Sequence, residues 1–183
     1  MKVKLPHVPY ISQKIAIDLV NSGFVTLKSG LESIASMANN ILKDDLMKEK
    51  AIDERANELI DERIDEMESM QIDKKNMFWL IKKRLAEDSN FNLTYEDRYM
   101  NLSHEILESA WKKDLIDYNV SENKVKNVIY ASIENYLKSY EDIEDEVIEK
   151  IENYKRKLIP GTEEYDLVFE ELYKEELRKK GMF

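Results

Sequence analysis

Apolar residues recur at steps of three and four along nearly the whole chain, which is the spacing of one face of an α-helix. The first predicted helix runs from Tyr10 to Asn21, with Ile11, Ile15 and Leu19 on one face and Ser22-Gly23 as its stop. A short apolar connector follows, Phe24-Val25-Thr26-Leu27, which reads as a strand fragment or a buried loop. The second helix opens at Ser29, with Glu32 three residues on in capping-box spacing. Its stripe is Leu31, Ile34, Ala38 and Ile41, then Ile52, Ala56, Leu59 and Met67. Neither Pro nor Gly occurs from Leu31 to Asp88, so the pattern predicts one helix to Ser69, about 60 Å long. Between Lys43 and Lys50 the stripe fades into Asp44, Asp45, Lys48 and Glu49. The helix is expected to bend there or to cross a gap between two packed regions.

A third helix, from Asp73 to Ala86, turns Met77, Phe78, Ile81 and Leu85 inward. Thr94 with Asp97 caps a fourth, which reaches Lys113 and carries Tyr99, Leu102, Ile106, Leu107, Ala110 and Trp111. The connector Leu115-Ile116-Asp117-Tyr118 resembles the first one. Ser121 opens the fifth helix, whose stripe is the cleanest in the chain: Val125, Val128 or Ile129, Ile133, Tyr136, Tyr140, Ile143, Val147, Ile151, Tyr154 and Leu158. Pro160-Gly161 is expected to stop it. Thr162 caps the sixth helix, with Glu163 and Glu164 in the first turn and Arg178-Lys179-Lys180 before Gly181 at the other end, both favourable to the helix dipole.

The order short helix, connector, long helix, short helix thus occurs twice. Ser12-Gln13-Lys14-Ile15 aligns with Ser103-His104-Glu105-Ile106, and Phe24–Leu27 with Leu115–Tyr118. Ser29 aligns with Ser121, Ile41-Leu42-Lys43 with Tyr136-Leu137-Lys138, and Asp73 with Thr162, at separations that drift and so require insertions. The expected fold is all-α: elongated antiparallel helical bundles of two long and four shorter helices, built by internal duplication of a three-helix unit. Residues 1–92 form one unit and 93–183 the other, either as two lobes or packed as one domain.

Composition narrows the class. Four Gly and three Pro in 183 residues are too few to punctuate a many-stranded sandwich or barrel. The absence of Cys removes disulfides, thiolate metal sites and a Cys nucleophile. The interrupted N-terminal stretch Leu5-Pro6-His7-Val8-Pro9 does not read as a signal peptide, and no apolar run approaches membrane-spanning length. A cytoplasmic location without a membrane is expected. The net charge of −10 is uneven: residues 1–92 hold 14 basic and 16 acidic groups, net −2, and residues 93–183 hold 14 and 22, net −8.

Candidate chemistry is sparse. His7 and His104 are the only histidines, which removes most general-base and metal designs. His104-Glu105-Ile106-Leu107-Glu108 is half of a zinc-helix motif, with Glu108 where the second His belongs. The Glu-x-x-His pair of a di-iron bundle, the Gly-rich phosphate loop and the nucleophile elbow are all missing. Two acidic tracts, Asp53 to Glu68 and Glu141 to Glu149, could hold Mg²⁺ or Ca²⁺ where carboxylates face each other, but they read better as solvated helix surfaces. No catalytic residue, metal or cofactor is assigned.

Two clusters remain as binding candidates. Lys74, Lys75, Lys82, Lys83 and Arg84 surround Met77-Phe78-Trp79, a basic-aromatic mixture that could touch nucleic acid, and Lys155-Arg156-Lys157 is a second basic run. Nine of the ten tyrosines follow residue 94, and Tyr136, Tyr140 and Tyr154 lie on the fifth stripe, as core residues or as a partner surface.

Several strings resemble a bacterial family, domain of unknown function 507. They are Leu5-Pro6-His7-Val8-Pro9-Tyr10, Lys14 to Leu19, Asn21 to Val25, Tyr95-Glu96-Asp97-Arg98, Asp114 to Asn123, Leu137 to Asp145 and Lys155 to Tyr165. The resemblance covers essentially the whole chain. It implies a small, helical, cytoplasmic bacterial protein and brings no catalytic residues with it.

The expected function is therefore a non-enzymatic scaffold or adaptor that presents long amphipathic helices to a protein partner or to a second copy. A nucleic-acid-associated protein using residues 74–84 is the first alternative, and a divalent-metal hydrolase on the acidic helices the second. Nucleic acid is the weaker partner class because of the overall charge.

Overall fold

The computed structural model describes residues 2–154 and 156–180. Lys155 of the second basic run and Gly181 therefore lie outside the described residues. The described chain is all-α apart from one two-stranded ribbon. A single 3₁₀ turn, Leu5–His7, leads into α1 (Val8–Asn21) and β1 (Val25–Leu27). Then come α2 (Gly30–Asp61), α3 (Ile64–Ser69), α4 (Lys74–Asp88), α5 (Tyr95–Lys112), β2 (Ile116–Tyr118), α6 (Glu122–Glu152) and α7 (Glu163–Lys179).

Two boundaries differ from the pattern. The second helix stops at Asp61, and a short separate helix, α3, carries the stripe on to Met67. The fifth stops at Glu152, so Tyr154 and Leu158 continue the spacing outside any helix. Leu158 nevertheless packs on the α6 core, so its apolar character was selected by packing and not by helix periodicity. At Lys43–Lys50, where a bend or a gap between packed regions was expected, the helix is continuous. Glu49 is buried there.

The two connectors pair with each other. β1 and β2 are antiparallel in the register Val25↔Tyr118, Thr26↔Asp117, Leu27↔Ile116. A local twofold between Thr26 and Asp117 maps each residue of β1 onto the one 91 positions later, as the pair's own numbers show. The same offset governs the preceding helices. All six buried residues of α1 (Val8, Ile11, Ser12, Ile15, Ala16, Leu19) have buried counterparts in α5 (Tyr99, Leu102, Ser103, Ile106, Leu107, Ala110). Ser12 donates to the Val8 carbonyl at 2.7 Å, and Ser103 donates to the Tyr99 carbonyl at 2.7 Å. Both helices end alike, with a left-handed residue two positions past the last turn: Gly23 at φ 77° and Asp114 at φ 54°. Glycine takes that conformation without strain, whereas aspartate tolerates it.

The offset persists into the long helices. Ile34, Ala38, Leu42, Ile52, Ala56 and Ile60 of α2 correspond to Val125, Ile129, Ile133, Ile143, Val147 and Ile151 of α6, and all are buried. The alignment therefore needs no insertion, and the drifting pairs read from the sequence (Ser29 with Ser121, Leu42 with Leu137, Asp73 with Thr162) are shifted by a few residues.

By internal contacts the chain divides into two compact units, Lys2–Ser132 and Ile133–Phe183. In the first, α1, α4 and α5 pack on α2 and the ribbon joins α1 to α5. In the second, Ile143, Val147 and Ile151 of α6 meet Leu177 of α7, covered by Tyr140, Phe169 and Tyr173.

Candidate functional site

The most concentrated chemistry in the first unit is a buried ion network on α2. Asp45, Glu49 and Asp53 recur every four residues, so they stack along one face of the helix. Arg98, at the start of α5, reaches Asp45 at 2.6 Å and Glu49 at 2.8 Å. Lys82, from the middle of α4, reaches Asp53 at 2.7 Å and Glu49 at 3.1 Å. Lys2 completes the set at 2.8 Å from Glu49. Three cations thus balance three carboxylates, and Glu49 ties α2 to α4, α5 and the N-terminal segment. The Arg98 guanidinium also lies over the Phe91 ring at 4.6 Å, and Lys82 over Trp79 at 5.3 Å.

Within this arrangement Glu49, Lys82 and Arg98 are held in their charged forms. Burial alone would raise the Glu49 carboxyl, but hydrogen bonds from Lys2, Arg98 and Lys82 outweigh it and hold the pKa at about 2. Burial works against the cationic forms of Lys82 and Arg98, and their carboxylate partners raise both net. His7 is buried, and its Nδ1 accepts the Lys4 N–H at 3.2 Å. Burial, then the charge of Lys4, lowers its pKa to about 4, so it is neutral. The second histidine, His104, lies on the exposed side of α5 beside Glu122. Among the described residues, no group of three or more His, Asp or Glu side chains is arranged to hold a metal ion. No helix among them is long and apolar enough to cross a membrane.

Next to the network, the end of the α2–α4 hairpin opens into an apolar cleft of about 390 Å³. Its lining is Leu59, Met67, Met70, Ile72, Met77 and Ile81, with Arg63 and Glu66 at the polar edge. Methionine is flexible and polarisable, which suits a surface that receives another apolar group. Met70 in this lining is 72% exposed, and on α4 Leu80 is 64% and Trp79 53% exposed.

The duplication supplies an internal comparison. At the 91-residue offset, Glu49 and Lys82 correspond to Tyr140 and Tyr173, whose rings meet edge to face at 5.3 Å. The position that is ionic in the first repeat is aromatic in the second. On the outer face, Trp79 and Leu80 correspond to Glu170 and Glu171, both exposed. The fold therefore does not require an apolar outer face on this helix.

The basic cluster read from the sequence is divided by the structure. Lys74, Lys75, Lys83 and Arg84 are exposed on α4, with Lys74 against Glu68 and Arg84 against Asp88. Lys82 turns inward and is consumed by the ion network. The tyrosines are likewise divided: Tyr136 is buried, Tyr140 is half-buried against Tyr136 and Tyr173, and Tyr154 is exposed past the end of α6. The ion network escaped the sequence reading because hydrophobic periodicity counts Asp45, Glu49 and Asp53 as surface. The one available signal was position: Glu49 falls on the buried stripe of α2, between Leu42 and Ile52.

A search of curated proteins returns no match. The family model described as Protein of unknown function (DUF507) matches residues 1–182, and the chain belongs to that family.

Proposed function

We propose that the protein is a non-enzymatic interaction scaffold whose docking surface is the cleft at the end of the α2–α4 hairpin, together with the outer face of α4. The observations that carry this reading are the exposed Met70 at a methionine-lined cleft and the exposed Trp79 and Leu80 on α4, where the equivalent helix α7 carries Glu170 and Glu171. Exposed apolar patches next to polar edges are the usual mark of a protein contact. The ion network serves this surface by fixing α4 on α2 through Lys82. The test is a photo-crosslinking side chain at Leu80 in the native cell, with Glu171 as the matched control position. Specific protein adducts at 80 and none at 171 are expected; equal, background-level labelling at both positions ends the reading.

A second reading is favoured by the four exposed cations of α4 around Trp79, a surface that could track a nucleic-acid backbone. Its test is salt-sensitive binding of single-stranded oligonucleotides that is lost in Lys75→Glu/Lys83→Glu/Arg84→Glu. Lys82 is left out of that variant, because reversing it would break the buried network.

A further inference from the structure

The docking surface just described carries its own information about its occupant, and this inference rests on that reading. We infer that the cleft receives a second copy of this chain, through the basic turn between α6 and α7.

The segments that follow the two long helices carry opposite charge. Residues 62–71, from which Arg63, Glu66, Met67 and Met70 line the cleft, hold four carboxylates and one cation, net −3. At the 91-residue offset, residues 153–162 hold three cations and no carboxylate, net +3. Much of this charge is uncommitted. Asp65 and Glu66 are exposed and make no ion pair among the described residues, and the same holds for Lys157. Arg156 meets Glu164 at 2.8 Å, with both side chains largely exposed.

Both segments also present apolar surface. Met70 stands exposed in the cleft lining, and Ile159 on the basic turn is 64% exposed. Its neighbour Leu158 packs on the α6 core, so Ile159 is the apolar side chain that the turn has free to insert. A methionine-lined cleft of about 390 Å³ has room for it and adapts to its shape.

The net charge of −10 sets copies against each other at long range. At physiological ionic strength, however, exposed charges farther apart than about 8 Å are largely screened. The local charges then decide the contact, since opposite patches attract and like patches reject each other. Cleft against cleft would set net −3 on net −3, and turn against turn +3 on +3, so the unlike pair is the one that matches.

The experiment is sedimentation velocity of the full chain over a wide range of concentration. Two variants are compared with wild type: Asp65→Lys/Glu66→Lys reverses the cleft, and Arg156→Glu/Lys157→Glu reverses the turn. All four side chains are exposed, so both variants are expected to keep the wild-type circular dichroism and melting temperature. Glu66→Lys alone is the reserve should the cleft variant lose structure. Wild type is expected to associate as concentration rises, and each variant alone about tenfold more weakly. Mixing the two variants in equal amounts should restore association, because the reversed cleft meets the reversed turn and the intact turn meets the intact cleft. Misfolded variants could not produce that recovery. A wild-type chain that stays monomeric throughout overturns the inference. So does association that survives reversal of the turn, which would put another face in contact, or a mixture that associates no better than the variants alone. A monomeric chain whose position 80 still crosslinks specifically to a different protein leaves the docking surface standing and overturns only its occupant. A monomeric chain without such crosslinks ends both.

Discussion

At the scale of single residues, Glu49 is the side chain on which most of the first unit's polar order depends. It accepts from Lys2, Lys82 and Arg98, so removing one partner leaves buried charge uncompensated. Breaking such a network from one side costs about 3–5 kcal/mol, while replacing both partners with packed side chains is often neutral. Lys82→Met is therefore expected to destabilise the protein by about 3 kcal/mol in a denaturant titration. Glu49→Tyr/Lys82→Tyr, which imports the pair found at Tyr140 and Tyr173 but leaves Arg98 to Asp45 alone and Asp53 without Lys82, is expected to fall between Lys82→Met and wild type. A double variant as unstable as Lys82→Met would show that the two sites are not interchangeable. Acid sensitivity follows from the same region. His7 has a folded pKa of about 4 against 6.5 unfolded, so the unfolded chain binds the extra proton, and stability falls as pH drops from 6.5 towards 4. Glu49 has a folded pKa of about 2 against 4.5, so its contribution, of order 3 kcal/mol, is present above 4.5 and is lost as pH falls from 4.5 towards 2. Unfolding free energy measured against pH should show two successive declines, and His7→Gln should flatten only the first.

At the scale of elements, helix existence was legible because apolar spacing is set by burial on one face, and every predicted helix occurs. Asp73 and Thr162 cap as their residue types require, accepting from the backbone N–H of Lys75 and Tyr165, whereas Ser29 and Thr94, also read as caps, occupy the N-cap position without a side-chain cap bond. The boundaries were less legible for a physical reason. Apolar spacing reports where a side chain packs, and Leu158 packs on the α6 core from an irregular segment. The stretch around Glu49 failed differently. A charged residue on the buried stripe looks like an interruption until its partners are known, and those partners, Lys82 and Arg98, lie 33 and 49 residues away. The candidate site shared this fate. Trp79 and Leu80 sit within an apolar run from Met77 to Ile81, whereas only Lys82 and Ala86 of α4 are buried. An exposed apolar face cannot be told from a buried one by composition. What reveals it is comparison with α7, where the equivalent outer positions are acidic.

At the scale of the whole molecule, the 91-residue correspondence organises the rest, because it separates positions alike in both halves from positions where one half differs. Residues that keep type and burial across the 91-residue offset belong to the fold, such as Ile15 with Ile106 and Ser12 with Ser103. Residues that change chemistry at equivalent positions, such as Glu49, Lys82, Trp79 and Leu80, mark the specialised repeat. This division has a thermodynamic consequence. Ile15 and Ile106 are both fully buried on equivalent faces of α1 and α5, each about one helical turn from a serine bonded to the carbonyl four residues back. Ile15→Ala and Ile106→Ala should each cost about 2–5 kcal/mol, the range for deleting a buried aliphatic side chain, and agree with each other within about 1 kcal/mol. Ser12→Ala and Ser103→Ala should form a second matched pair with smaller, equal effects, near about 1 kcal/mol for one hydrogen bond each. Denaturant unfolding of the four variants, with an unchanged slope as the check on two-state behaviour, decides the matter. Matched costs within each pair mean that α1 and α5 occupy equivalent places in the first unit's core. A difference of several kcal/mol between the isoleucines would mean that the shared spacing reflects helical periodicity alone.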